Sequence, residues 1–179
     1  MGRGSSFRTL PTPILSNRVS AGIPREPVLS AADERGMSVA LEEARAAAEV
    51  GEVPVGAAVV VDGEVVCRAH NETVARGDLT QHAELIVIQR VLASLGTDRL
   101  DTASLYVTLE PCAQCAGAIV LARVGRVIFG AYDPKAGMVG SVEDLLRHPK
   151  LNHTPEVRGG VCADECGVLL SSFFSGKRD

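Results

Sequence analysis

His82-Ala83-Glu84 and Pro111-Cys112-Ala113-Gln114-Cys115 place an imidazole, a carboxylate and two thiols in two short segments of the chain. One His and two Cys suit zinc, and a site with only three protein ligands leaves its fourth position open to water. Glu84 lies two residues from the His, so it can face that open position without coordinating. Zinc lowers the pKa of its water from about 15.7 to about 7, which gives hydroxide at neutral pH. A carboxylate beside it can take that proton and hand it on to a substrate, because each step regenerates its starting form.

Two plainer readings compete. A structural zinc site would need a fourth protein ligand, for which Cys67, Cys162 and Cys166 are the candidates. A redox C-x-x-C would leave the upstream H-A-E without a purpose. Of the remaining cysteines, Cys67 alternates with apolar residues on a predicted strand and reads as a buried strand position. Cys162 and Cys166 read as the packed side of a helix. His148 and His153 belong to a predicted loop, and His70 to an exposed strand end.

Elements must bring the two segments together. Ser30 to Asp33 resembles a capping box ahead of a helix with apolar residues at Val39, Ala40, Ala47 and Val50, stopped by Gly51. Residues 56–61 and 64–67 flank Asp62-Gly63, a two-residue hairpin signal. A loop over 71–81 leads to a helix beginning at His82, with Leu85, Ile86, Val91, Leu92 and Leu95 as its apolar face. Residues 104–109 read as a strand, and Pro111 as the first position of the third helix. Strands at 126–129 and 156–158, a short helix at 141–147 and a helix over 162–174 complete the chain. Strands alternating with helices predict an α/β sheet covered on both faces. His82, Cys112 and Cys115 would then sit at two adjacent helix N-termini above the carboxyl ends of strands. Cys112 and Cys115, three residues apart, share one helix face, and the electropositive helix start favours their thiolates.

With 179 residues, of which 46% are hydrophobic and 22% charged, the chain reads as one soluble globular domain. Its apolar runs are too short for a membrane span. Five cysteines without regular spacing point to a reducing compartment. Residues 1–30 carry Arg3, Arg8, Arg18 and Arg25 with Glu26 as their one acid. They read as a disordered tail or an organellar leader, with 31–179 as the domain. A formal net charge of −4 speaks mildly against nucleic acid, although net charge does not report the field in a cleft.

H-x-E with P-C-x-x-C is the established signature of zinc-dependent nucleobase deaminases, and further segments narrow the likeness. E-V-P-V-G-A from Glu52, H-N-E from His70, H-A-E-L from His82, L-Y-V-T-L-E-P-C from Leu105, C-A-G-A-I from Cys115 and G-R-V-I-F-G-A from Gly125 stand in order. F-G-A-Y-D-P-K-A-G, H-P-x-x-N-H and S-S-F-F follow. Residues 33–179 resemble the bacterial tRNA-specific adenosine deaminase family. The resemblance implies a three-layer α-β-α, cytidine-deaminase-like fold around a central mixed five-stranded sheet. It also implies a cytoplasmic hydrolase that converts adenosine to inosine at the wobble position of a tRNA anticodon, in arginine tRNA. One Zn2+ per subunit and a homodimer are further implications. Carried over, His82, Cys112 and Cys115 hold zinc and Glu84 shuttles protons. Asn71 bonds the flipped purine, Asp133 and Lys135 lie by the anticodon-loop backbone, and Phe174, Lys177 and Arg178 sit near the RNA. Leu79, Gln81 and Tyr132 depart from the family's usual pattern and bear on the pocket rim. A deaminase of free guanine or cytosine is the rival enzymatic reading. A partner subunit that has lost its shuttle is the non-catalytic one, against which Glu84 stands.

Overall fold

The structure is a computed structural model that describes Met1 and residues 30–176; the tail read over 1–30 and the basic pair Lys177 and Arg178 lie outside the described residues, apart from the two end positions Met1 and Ser30. Helix α1 spans Ala31–Glu49, strand β1 Gly56–Val61, β2 Glu64–His70, α2 Thr73–Arg76 and α3 Ala83–Leu95. Then follow β3 Ser104–Leu109, α4 Ala113–Leu121, β4 Arg126–Ala131, β5 Glu156–Arg158 and α5 Ala163–Gly176. The five strands form one mixed sheet in the order β2-β1-β3-β4-β5. No helix among the described residues is long and apolar enough to cross a membrane.

Strand direction places the site. β1 runs antiparallel to both β2 and β3, and β3 is parallel to β4. β2, β3 and β4 therefore share a direction, and the loops that leave their carboxyl ends open on one edge of the sheet. Side chains alternate between faces as the pleat requires. Leu105, Val107, Val127 and Phe129 join the core under α3 and α4, whereas Tyr106 and Ile128 join the one under α1 and α5. With both faces covered, the strands read as unbroken apolar runs.

Local chemistry explains the boundaries. The Ser30 hydroxyl accepts from Asp33 N–H at the start of α1, and Gly51, at φ +80°, ends it. The buried face of α1 is Met37, Leu41, Ala44 and Ala47 with Ala40, while Val39 is only half-buried and Val50 is exposed. Gly56 lets α1 and β1 approach: a Cβ there would lie 2.1 Å from Ala40 O. The hairpin turn at Asp62-Gly63 has positive φ at both residues (50° and 84°), as a type I′ turn demands.

Four expectations need correction. Residues 141–147 are not helical; Val139 bridges Asp144, the Leu145 N–H goes back to Met138 O in place of a helical i−4 carbonyl, and Glu110 draws the Val139 and Ser141 N–H groups to the end of β3. Pro111 precedes the third helix, which starts at Ala113 with Cys112 as its N-cap. The loop over 71–81 contains the one-turn helix α2. Cys162 lies ahead of α5 at φ 55° and is exposed, while Cys166 alone of the pair is buried.

At the amino ends of β3 and β4, Asp33 is 3% exposed. It accepts from Tyr106 Oη at 2.9 Å and Ser30 Oγ at 2.8 Å and faces Arg126 at 3.4 Å. Burial alone would raise the Asp33 pKa, yet these donors and the guanidinium hold it below the ordinary aspartate value, while burial and the bond to Asp33 push the Tyr106 phenol up to about 12. A carboxylate depressed in the folded state stabilises above its unfolded pKa, and that contribution fades as pH falls through the folded one. Asp33→Asn is therefore expected to lose about 1–3 kcal/mol in urea unfolding at pH 7. The gap to wild type should narrow below about pH 4; an unchanged gap at acid pH would remove the charge from the account.

Candidate active site

The carboxyl ends of β2 and β3 deliver the cluster that the spacing predicts. His82 is the N-cap of α3 and Cys112 the N-cap of α4, with Cys115 in the first turn of α4. The ligating atoms of His82, Cys112 and Cys115 lie within 4.8 Å of one another. His82 Nδ1 stands 3.5 Å from each sulfur. Tetrahedral zinc, with bonds of about 2.3 Å to sulfur and about 2.0–2.1 Å to nitrogen, spaces those donors about 3.5 Å apart, so the group fits the ion. Cys67, Cys162 and Cys166 are not in the cluster, and no fourth ligating side chain joins it among the described residues.

The electrostatics suit a cation as well. The bond from Cys115, with further help from His82, overcomes burial and pulls the Cys112 thiol down to about 3. Cys115 moves the other way, raised by its bond to Cys112 and by burial. The Cys112 sulfur also raises the His82 pKa. The pair of sulfurs thus shares one proton and titrates as a unit, and a bound metal displaces such protons.

Glu84, in the first turn of α3, is 4% exposed, and its Oε2 is buried without a hydrogen-bond partner. Burial is the main cause that raises its pKa. An unpartnered buried carboxylate oxygen is costly, and Glu84 lines a cavity of about 360 Å³ together with His82 and Cys112. That volume lies in the range of small-molecule sites.

Asn71 is buried on the same cavity, and its Oδ1 accepts from Ala83 N–H at 2.9 Å. It therefore satisfies one of the free donors at the start of α3, and its NH2 is the end available to a ligand. Asp133 lines this cavity and a neighbouring one of about 510 Å³. Lys135 and Phe174 line only the second. The two cavities share Val53, Leu109, Asp133 and Ala136, so they adjoin. Leu79 is exposed on the rim of the first, and Tyr132, stacked edge-on against Phe129, lines the second.

Two buried acids went unnoticed in the sequence. Glu52, 2% exposed, accepts from Thr73 Oγ1 at 2.9 Å and Ala75 N–H at 2.7 Å. Burial opposes its ionisation, but these bonds prevail and lower its pKa. Glu110, also 2% exposed, takes the N–H groups of Asp133, Val139 and Ser141 and the Ser141 hydroxyl. The available signal was an acid inside an otherwise apolar run, at Glu52-Val-Pro-Val and Thr-Leu-Glu110-Pro.

Cations are mostly neutralised already. Arg123 meets Asp101, Arg126 meets Asp33 and Glu156, and Arg147 meets Asp144. Arg76 and Arg90 both meet Glu72. His70 is half-buried against Glu43 at 2.7 Å, and His153 Nε2 is 2.7 Å from Val124 O.

Known proteins resemble this chain in sequence and fold. The family model of MafB19-like deaminases matches residues 31–164. A tRNA-specific adenosine deaminase of Bacillus subtilis is 51% identical over 142 residues, covering 79% of this chain and 88% of that protein. A solved structure from work on A-to-I editing by tRNA:A34 deaminases at the wobble position of transfer RNA superposes with a TM-score of 0.74 at 45% identity. It is matched over 76% of this chain and 99% of its own length. A guanine deaminase from Nitrosomonas europaea, 23% identical, superposes with a TM-score of 0.72 over 96% of this chain and 100% of its own, a likeness of fold alone. By fold, site and identity together, the chain belongs to the tRNA-specific adenosine deaminase family.

Proposed function

We propose that this protein hydrolyses adenosine to inosine at the wobble position of a tRNA anticodon, with arginine tRNA as its substrate, releasing ammonia. The observation that carries this reading is Glu84, with its Oε2 unpartnered, lining a cavity beside a three-ligand cluster. His82 through Nδ1, Cys112 and Cys115 would hold one zinc per chain. When bound, zinc supplies Lewis acidity that makes a water nucleophilic near neutral pH.

The chain's own residues do the rest. Glu84 accepts one proton of the attacking water and gives it to the purine ring nitrogen. It then takes the remaining proton of the added hydroxyl and passes it to the amine, which leaves as ammonia as the C–N bond breaks and the C=O forms. Burial raises the Glu84 pKa, which strengthens the carboxylate as a base toward water while leaving its acid form able to pass the proton on. Asn71, held in place by Ala83 N–H, orients the flipped purine. Asp133 and Lys135 meet the loop backbone, and Phe174 offers a stacking face to RNA. A net charge of −4 is compatible with this, because a flipped base is selected by contacts inside the pocket while charge mainly supplies affinity. A homodimer working in the cytoplasm completes the proposal.

Incubation of the purified protein with unmodified arginine tRNA, followed by sequencing, is expected to read the wobble adenosine as guanosine. Turnover of free guanine or cytosine with none on the anticodon stem-loop would overturn the assignment. Glu84→Ala should keep its zinc by metal analysis while turnover falls by about 10²–10⁴-fold; zinc loss or undiminished turnover would contradict the shuttle role. Cys115→Ser is expected to lose both zinc and several degrees of Tm, because metal binding and folding are coupled. A variant with full metal content would place the ion elsewhere.

A further inference from the structure

Glu110 follows the last residue of β3, and its buried carboxylate is surrounded by a loop that lies 23 to 31 residues further along the chain. Asp133 N–H reaches it at 3.0 Å, Val139 N–H at 2.9 Å and Ser141 N–H at 3.0 Å, and the Ser141 hydroxyl adds a fourth bond. Pro111 O, the next carbonyl, takes Met138 N–H at 2.9 Å. The loop wraps so closely that a Cβ on Gly137 would lie 2.4 Å from the Glu110 carboxyl. Within itself the loop is held by Asp133, whose Oδ1 accepts from Lys135 and Ala136 N–H and whose O accepts from Gly137 N–H, but Glu110 and Pro111 O are what tie it to the end of β3.

The loop that is held this way is a wall of the active site. Asp133 and Ala136 line both cavities, and Lys135 lines the outer one. One strand end thus carries two tasks, since Cys112 follows Glu110 by two residues. We propose that Glu110 is a positioning residue for the nucleic-acid substrate. By gathering the 133–141 loop onto the end of β3, it fixes the distance between the wall that grips the RNA and the metal-ligating cluster. This rests on the tRNA reading above, and it assigns Glu110 to substrate grip and not to the proton transfer.

The test compares wild type, Glu110→Gln and Ser141→Ala as full chains loaded with zinc. An amide of the same shape keeps one acceptor oxygen but turns an NH2 toward N–H donors. Hydrogen exchange at the amides of 133–141 in Glu110→Gln is expected to rise by about tenfold, with α3 unchanged. On an anticodon stem-loop its KM should rise by about tenfold while kcat stays within about twofold. Zinc content should match wild type. Ser141→Ala, which removes only one donor, should move exchange and KM in the same direction by about two- to threefold. Unchanged exchange at 133–141 in both variants would overturn the proposal, as would a fall confined to kcat. Zinc loss from Glu110→Gln together with an inert Ser141→Ala would also overturn it, because Glu110 would then support the metal ligands alone. Wild type inactive on the stem-loop would defeat the tRNA reading, and the exchange measurement would still decide whether Glu110 holds the loop.

Discussion

Two sulfurs and an imidazole nitrogen crowded within 4.8 Å form an arrangement that a folded chain tolerates only when something rigid holds it. Here the rigidity comes from two helices whose first turns abut at the carboxyl ends of parallel-running strands. Without a cation the donors share protons unequally, with the Cys112 thiol held down to about 3 and Cys115 driven up. The surrounding structure follows from keeping that cluster open on one side. Asn71 ties the end of β2 to the start of α3, and Gln114 of α4 donates to Thr80 O at 2.7 Å, which ties α4 to the segment ahead of His82.

The pocket walls obey a related logic. One is the short helix α2 and the other a loop, and each closes on a buried carboxylate from a neighbouring segment: Glu52 for residues 73–75 and Glu110 for residues 133–141. Backbone N–H groups are the partners in most of these bonds, so the side chains along each wall stay free to meet a substrate. A carboxylate with several such donors remains ionised even when burial opposes it, and both acids show that outcome. Buried carboxylates that accept from the backbone thus shape the walls of the open mouth.

What was legible in the sequence was what is encoded locally. H-A-E and P-C-x-x-C fix ligand spacing over a few residues, Asp62-Gly63 encodes its own turn, and Ser30 encodes its own cap. The five strands and the covered sheet followed from apolar runs. The 141–147 segment was misread because its decisive partner, Glu110, lies 31 positions before Ser141, beyond the reach of any local pattern. The loop bonds of Glu52 escaped for the same reason. Pro111 was placed two positions too far along, since the helix starts at Ala113 and Cys112 takes the capping position with extended backbone (φ −75°, ψ 178°). The convergence of Asp133 with the cluster depended on β4 running parallel to β3, which single-strand patterns do not specify.

The sheet also ends in two rims that must refuse company. β5 is three residues long, too brief to template much. β2 is longer, and Val65 and Val66 on it are 41% and 43% exposed, the profile of a strand that could recruit a stray copy into fibrillar stacking. A bulge at Val59/Val60 distorts the neighbouring ladder, and Glu64 and Arg68 flank the valines, the latter anchored by Glu42 and Glu43. These act as gatekeepers. Surface redesign that neutralised this fringe of charges would risk aggregation through β2 while leaving the reaction centre intact.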